Sequence, residues 1–510
     1  MMTSETAAPA ALVLLLSACA LPLSGCAVGP GYQRPSAPSA GSYSPAPLPA
    51  ATASAAGIAG AAQSFSVGQA ISAQWWTLFH STALNTLIAQ ALAHNPGIDA
   101  ALAALRQAQQ NVYAQRGFFF PTVQASYSAQ RSKLAGATAT ANTPIYEPNG
   151  TVIQPTGPAQ PVTYNFHTAE LTVGYAPDVF GLNRRQLESL RAQADVAGFE
   201  LQAAYVTLAS NVVAAAIQEA ATRAQMAAVQ AIIQSNERSL TVLQAQFRLG
   251  EVMRLDVAAQ QSALAQSRQL LPPLQKQLAQ TRDLLRVLVG NAPDQDVPQS
   301  FTLASLQLPA DLPLSLPSQL IRQRPDVLAA EAQVHAASAQ VGVALANRLP
   351  QFAISGDYGG EATQFAQMLS PAGLFWDVIG SVSAPLFEGG TLRHRQKAAE
   401  QGLQQAEAQY RSTALSAFQN VADTLHAIYA DADALQAAAA AEQAAQVALD
   451  LTQKQLQAGY VGYLALLSAQ QAYQQAAITL VQAQASRLGD TAALFQALGG
   501  GWWNSSPRAQ

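Results

Sequence analysis

The chain has 510 residues, of which only 11% are charged, with 26 basic and 30 acidic side chains and a net charge of −4. That balance leaves no basic footprint for nucleic acid, and the Ala- and Gln-rich segments that replace charge suit helices packing on other helices. Length alone suggests roughly two to four domains.

Paired landmarks point instead to one internally duplicated body. Asn95-Pro96 and Pro121 recur as Arg324-Pro325 and Pro350 at an offset of 229 residues, whereas Gly250 and Gly290 recur as Gly459 and Gly499 at 209. One half therefore carries about twenty extra residues between its landmarks.

At the N-terminus, Ala10 to Leu23 form an apolar h-region, and Leu23-Ser24-Gly25-Cys26 follows as a bacterial lipobox. A lipoprotein signal peptide over residues 1–25 and export to the envelope are expected. Glu5 and the lack of Lys or Arg depart from an ordinary n-region, and Leu16-Ser17-Ala18-Cys19 is a rival lipobox. Cleavage by ordinary signal peptidase is the plainer alternative. No cofactor is expected beyond covalent lipid on Cys26, a diacylglycerol and an N-palmitate. With Cys19 removed no thiol pair remains, which excludes disulfides and Cys-based metal sites. Residues 26–72 read as a lipid-anchored tether, and 36–62, dense in Ala, Pro, Ser and Gly, are expected to bury nothing of their own.

Order is expected from Trp75-Trp76 onward. A first repeat spans residues 73–290, beginning with Leu84, Leu87, Ile88 and Leu92 at helical spacing. Alternation then predicts strands at about 120–132 and 164–176: Val123, Ala125, Tyr127 and Ala129 oppose Thr122, Gln124, Ser126, Ser128 and Gln130. A helical hairpin follows over about 182–289, its apolar seam at 4,3 spacing and interrupted by Glu219, Thr222 and Asn236. Its first arm, about 65 residues at ~1.5 Å each, is a rod of roughly 100 Å. Residues 291–316 read as an inter-repeat linker. A second repeat at 317–500 holds strands at about 350–359 and 374–386 and a hairpin over about 392–498, leaving a tail at 501–510.

The mature chain has no run of eighteen apolar residues, so no spanning helix is expected. Ten-residue strands with one apolar and one Ser/Thr/Gln face fit a transmembrane β-barrel instead. Four strands cannot close a barrel, and open edges in lipid leave backbone groups unsatisfied, so copies must pool strands. Three copies give twelve strands, and the same symmetry gathers the long helices into a tube. The fold expected is an α+β membrane protein: a homotrimeric 12-stranded barrel, four strands per chain, continued by a 12-helix barrel. A soluble antiparallel sheet packed on a helical bundle is the other reading.

Catalytic chemistry is missing. The six histidines are scattered without a His-Glu-x-x-His or a close ligand pair, and no nucleophile elbow, phosphate loop or dinucleotide fingerprint occurs. No enzyme and no metal are expected.

Cys26 to Pro35, then Trp75-Trp76, Phe79, Leu84, Leu87-Ile88 and Asn95-Pro96, resemble the outer membrane factor family. So do Tyr175-Ala-Pro-Asp-Val-Phe-Gly181, Arg322-Gln-Arg-Pro-Asp326 and Ala384-Pro-Leu-Phe-Glu-Gly-Gly390. More narrowly, the chain resembles the TolC-like lipoproteins of resistance-nodulation-division efflux systems. The resemblance implies a cell outer-membrane channel, a homotrimer projecting into the periplasm, that passes drugs or other small toxic compounds from an inner-membrane pump through a periplasmic adaptor. It also implies adaptor contact at the hairpin tips, carried here by Arg248, Leu249 and Gly250 and by Gly459, although Gln457-Ala458 departs from the Arg-Leu-Gly signature. A periplasmic gate is implied at Leu464; the family's acidic position falls on Ser468, and Asp256 holds a comparable place after the first tip. Arg248 also reads as a last-turn cation neutralising a helix dipole, and Leu464 as a seam residue. Two other functions fit the same shape: the outer channel of a type I protein-secretion system, and a non-conducting coiled-coil anchoring lipoprotein.

Overall fold

The computed structural model describes residues 27–47, 49–135, 145–146, 152–153 and 161–504. Cys19, Cys26 and most of the 501–510 tail lie outside the described residues. In chain order the elements are strand β1 (Ser64–Val67), helices α1 (Thr82–His94) and α2 (Pro96–Gly117), and strands β2 (Thr122–Leu134) and β3 (Val162–Tyr175). Helices α3 (Leu182–Leu249), α4 (Arg254–Gln269) and α5 (Leu271–Leu288) follow. Then come β4 (Asp311–Leu314), α6 (Pro317–Gln323), α7 (Pro325–Ala346), β5 (Gln351–Ala362), β6 (Leu374–Ser383), α8 (Thr391–Gln457) and α9 (Tyr463–Ala497).

These elements form two compact units. The first contains residues 27–33, Gln109–Arg191 and His335–Leu403, and holds an antiparallel sheet in the order β2-β3-β5-β6. Two hairpins are joined through the β3–β5 ladder, where His167 pairs with Ala362 and Tyr175 with Ile354. Among the described residues no strand covers the outer edge of β2 or of β6.

The second unit contains Arg34–Ala108, Ala192–Val334 and the chain from Gln404 onward. Ser81 starts α1 by accepting a hydrogen bond from the Leu84 amide at 3.4 Å, and Leu84, Leu87, Ile88 and Ala91 form its buried stripe. Pro96 ends it, because the residue before a proline is pushed out of helical geometry; Asn95 is extended at φ −74°, ψ 121°. The Asn95 side-chain Nδ2 then donates to the Leu288 carbonyl at 2.9 Å, closing the end of α5. Arg324, before Pro325, donates from Nη1 to the Ala497 carbonyl at the end of α9, also at 2.9 Å. Trp75, fully buried, stacks on Phe495 with ring centroids 5.1 Å apart.

The polar residues that interrupt the α3 seam are all partnered. Glu219, with no exposed surface, receives Arg223 at 2.7 Å and Arg282 at 3.1 Å. Thr222 donates to the Gln218 carbonyl at 2.8 Å, and Asn236 to Ser267 at 2.8 Å. An 18-residue window of α3 is apolar enough to cross a membrane, but 56% of that window is buried inside the chain.

Three expectations need correction. The return arm of the first hairpin is two helices, broken at Leu270, where Pro272 and Pro273 open α5; a proline ring clashes with the preceding turn and removes an amide donor. The stretch 36–62 does not hang free: Thr52 and Ala59 are buried, and the Tyr43 hydroxyl donates to the Ser315 carbonyl at 2.8 Å. The linker at 291–316 is likewise built in. It buries Val297, Phe301, Leu303, Leu306 and Leu312, and its strand β4 pairs in parallel with β1, Ser64 opposite Asp311. Arg282 and then Arg286 hold the Asp296 carboxyl down to about 2. Composition predicts a loose segment only where no partner surface exists, and each of these segments provides that surface for the other.

Candidate channel surfaces

Register sorts the sheet into two unlike faces. Val123, Val173, Gly356 and Val378 lie in one cross-strand row, and Leu171, Tyr358 and Trp376 in the next. The opposite face carries Gln124, Ser126, Thr172 and Glu170 on the first hairpin and Ser355, Asp357, Glu361, Asp377 and Ser381 on the second. The apolar face is bare: Trp376 is 73% exposed and Val123 64%. A water-soluble sheet buries such a face, since contiguous exposed apolar surface is unfavourable in water.

Aromatic side chains cluster at both ends of the strands. At the loop end Phe365 meets Tyr127 edge-on at 6.1 Å and His167 at 6.0 Å, and the Tyr127 hydroxyl lies 3.0 Å from His167 Nδ1. At the helix end Phe118, Phe120 and Phe387 are exposed. An apolar band between two aromatic belts is the surface a bilayer selects.

The polar face is acidic. Among the described residues its rows contain Glu170, Asp357, Glu361 and Asp377 and no Lys or Arg. Asp357 and Asp377 face each other directly, and Thr172 donates to Asp357 at 2.5 Å.

Where β3 gives way to α3, Asp178 accepts the Asn183 and Arg184 amides, each at 2.9 Å, and so caps the helix N-terminus. Gly181, at φ +79°, lies against Ala27, where a Cβ would come within 2.6 Å of the Ala27 Cα. Arg185 holds the same segment, donating to the Val28 carbonyl at 2.9 Å and to that of Gly29 at 3.1 Å.

At the other ends of the long helices, both turns use one device. Gly250 and Gly459 each sit at φ +78°. The amides of Gly250 and Glu251 return to Phe247 and Gln246, and those of Gly459 and Tyr460 to Leu456 and Gln455. This is the Schellman closure, which requires a left-handed residue. Leu249 is 74% exposed and Leu464 61%; Arg248 and Ser468 are exposed as well. Asp256 is occupied in its own helix, accepting the Met253 amide at 3.1 Å. Arg248 and Leu249 thus lie beside Gly250 on one tip, with Gly459 on the other, while Leu464 and Ser468 follow one turn apart on α9.

Sequence reasoning missed the seam behind these tips. Leu243, Leu449, Tyr463 and Leu466 form a buried cluster shared by both hairpins. Within it the Tyr463 hydroxyl donates to Gln260 Oε1. Gln260 donates to the Asn236 carbonyl at 2.8 Å, and Asn236 to Ser267. Burial pushes the Tyr463 phenol up to about 12, with Asp256 adding to the effect, so it remains a donor. A Gln on the seam of α4 was the available signal, because a buried amide must find partners.

A sheet with a bare apolar face and an acidic polar face, running into helices of 68 and 67 residues, is the architecture of a TolC-like outer-membrane channel. The outer-membrane channel OprN superposes with a TM-score of 0.79 at 26% identity, covering 94% of this chain and 100% of that one. The family model described as outer membrane efflux protein matches residues 87–291 and 316–500, and the chain belongs to that family. It is an outer-membrane channel of an efflux system and not an enzyme. The pyoverdine export outer membrane protein OpmQ of Pseudomonas putida is 29% identical over 85% of this chain and 89% of its own length. The cation efflux system protein CusC of Escherichia coli is 26% identical over 95% and 97%.

Proposed function

We propose that three copies of this chain close a 12-stranded barrel in the outer membrane and a 12-helix tube in the periplasm, a passive conduit for small toxic compounds. An inner-membrane pump delivers them through a periplasmic adaptor. The observation that carries this reading is the pair of edges, on β2 and β6, that no strand covers among the described residues, flanking a sheet whose apolar face is exposed. In lipid every backbone amide and carbonyl needs a partner, and only a closed barrel supplies one. Internal duplication accounts for the equal 22-residue lengths of α2 and α7 and for the matched Asn95–Leu288 and Arg324–Ala497 contacts. Repeats then read as 73–290 and 317–500. The lipid is assigned to Cys26 on its lipobox, and Ala27, the first described residue, lies beside Gly181 at the strand exit.

A deletion strain with its pump intact should become hypersensitive to a panel of small toxic compounds, and unchanged susceptibility across the panel would remove the efflux reading. That panel also separates efflux from type I protein secretion. The anchoring alternative predicts no conductance in planar bilayers.

The exposed tips, Arg248 and Leu249 beside Gly250 with Gly459 on the second hairpin, are assigned to the adaptor. Proline holds φ near −65°, so Gly250→Pro destroys a turn built at φ +78°. We expect at least a several-fold loss of adaptor crosslinking with the trimer retained. Crosslinking at the wild-type level would count against the assignment.

The gate is assigned to a ring of Leu464, with Ser468 one turn on and Asp256 in the comparable place after the first tip. A narrow apolar ring excludes hydrated ions. Leu464→Ala should raise single-channel conductance several-fold, and equal conductance would return Leu464 to the role of a seam residue.

A further inference from the structure

Residues 51–63 fold back on themselves and dock on α9. The Thr52 amide donates to the Gln63 carbonyl at 2.9 Å, and the Ala55 amide to that of Gly60 at 2.8 Å. Gln63, with no exposed surface, donates to Thr491 at 3.1 Å and to the Pro309 carbonyl at 2.9 Å. The central fastening is Arg487, also fully buried. Its Nη2 reaches Thr52 Oγ1 at 2.9 Å, the Ala53 carbonyl at 3.2 Å and that of Ala61 at 2.8 Å.

Its other side is different. Arg487 Nε and Nη1 have no hydrogen-bond partner, and neither does the buried Oδ2 of Asp431. Across the helix pair the Asp431 and Asp490 carboxyls lie within hydrogen-bonding reach of each other. Two carboxyls bond only when one of them holds a proton. The charged groups acting on Asp431 are Asp490 and Arg487, both from α9, and residues 51–63 contain no charged side chain.

We propose that this proton locks residues 51–63 in place: with it, Asp431 and Asp490 bridge α8 to α9 and Arg487 serves the strap, and without it the strap is released. Loss of the proton leaves two adjacent carboxylates in a half-buried site, which repel each other and draw the guanidinium to the side where it has unused donors. Each bond it makes there is taken from Thr52, Ala53 or Ala61. Burial first, then the hydrogen bond and charge of Asp490, push the Asp431 carboxyl up to about 7, against the pull of Arg487.

The sign follows from linkage. The fastened state keeps a proton that the released, solvated state gives up in the ordinary carboxylate range. Fastening is therefore complete in acid, weakens as pH rises toward about 7 and levels off above it. The limiting slope is about tenfold per pH unit for one proton.

Hydrogen exchange of the full-length protein in lipid nanodiscs tests this at the bonded amides of Thr52, Ala55, Gly60 and Gln63, corrected for intrinsic exchange. Between pH 5 and pH 7 protection should fall by up to about 100-fold and then hold to pH 8. Asp431→Asn, which keeps a neutral hydrogen-bonding group, should stay protected throughout, and Asp490→Asn should behave alike. Arg487→Gln should lose protection at every pH. A flat wild-type profile, a slope that persists in both Asn variants, or full protection in Arg487→Gln would each overturn the lock.

Discussion

Replacing Tyr463 by Phe should open the resting channel. The hydroxyl lost is the one that joins the second hairpin to Gln260 of the first. Its removal leaves the Gln260 acceptor buried without a partner, at a cost of about 1–3 kcal/mol. If the gate opens by separating the hairpins, that cost is charged to the closed state alone, which favours opening by about 5- to 150-fold. Single-channel recording should show a matching rise in open probability, and cells should admit large antibiotics that the wild type excludes. The apolar part of the cluster, Leu243, Leu449 and Leu466, is untouched by the change, so the trimer should keep its mass. A Tyr463→Phe channel that stays as closed as the wild type would show that the hairpins do not part at this seam.

Proline placed in β6 tests the shared barrel. Val378 and Ile379 are consecutive on the outermost strand, so their amides point to opposite sides of it. One variant removes a bond to β5 within the chain; the other removes a bond that the neighbouring copy would accept. An unpaired backbone group in the membrane costs several kcal/mol, repeated at three seams in a trimer. The outward variant should therefore fail to form a membrane-inserted trimer while leaving the β5–β6 hairpin intact. Native mass measurement in detergent gives the outcome directly. Trimer assembly in both variants would end the pooled-strand reading.

Local periodicity carried most of this fold. Alternation at 122–130 marked β2 because side chains on a strand change face at every residue, and that pattern needs no knowledge of the partner. Gly250 and Gly459 marked the tips because a left-handed backbone is costly for any other residue. Asn95-Pro96 and Arg324-Pro325 marked helix ends by the same local sterics. The lipobox pointed to the envelope, and the family match places the chain among outer-membrane efflux channels, which are not enzymes.

Contacts between segments far apart in sequence were decided only by the tertiary structure. Nothing in Ala51 to Gln63 announces burial, because its small and neutral residues suit a tether until Arg487, more than four hundred residues away, supplies the donors. The linker's β4 is a strand only because β1 pairs with it. The Tyr463–Gln260 bond exists because two hairpins from different halves of the chain meet at one cluster. Dihedral preferences and face periodicity are properties of a residue and its immediate neighbours, so the sequence by itself determined the elements and their two-faced character. Which polar group satisfies which depends on how those elements pack, and that only the tertiary structure decided.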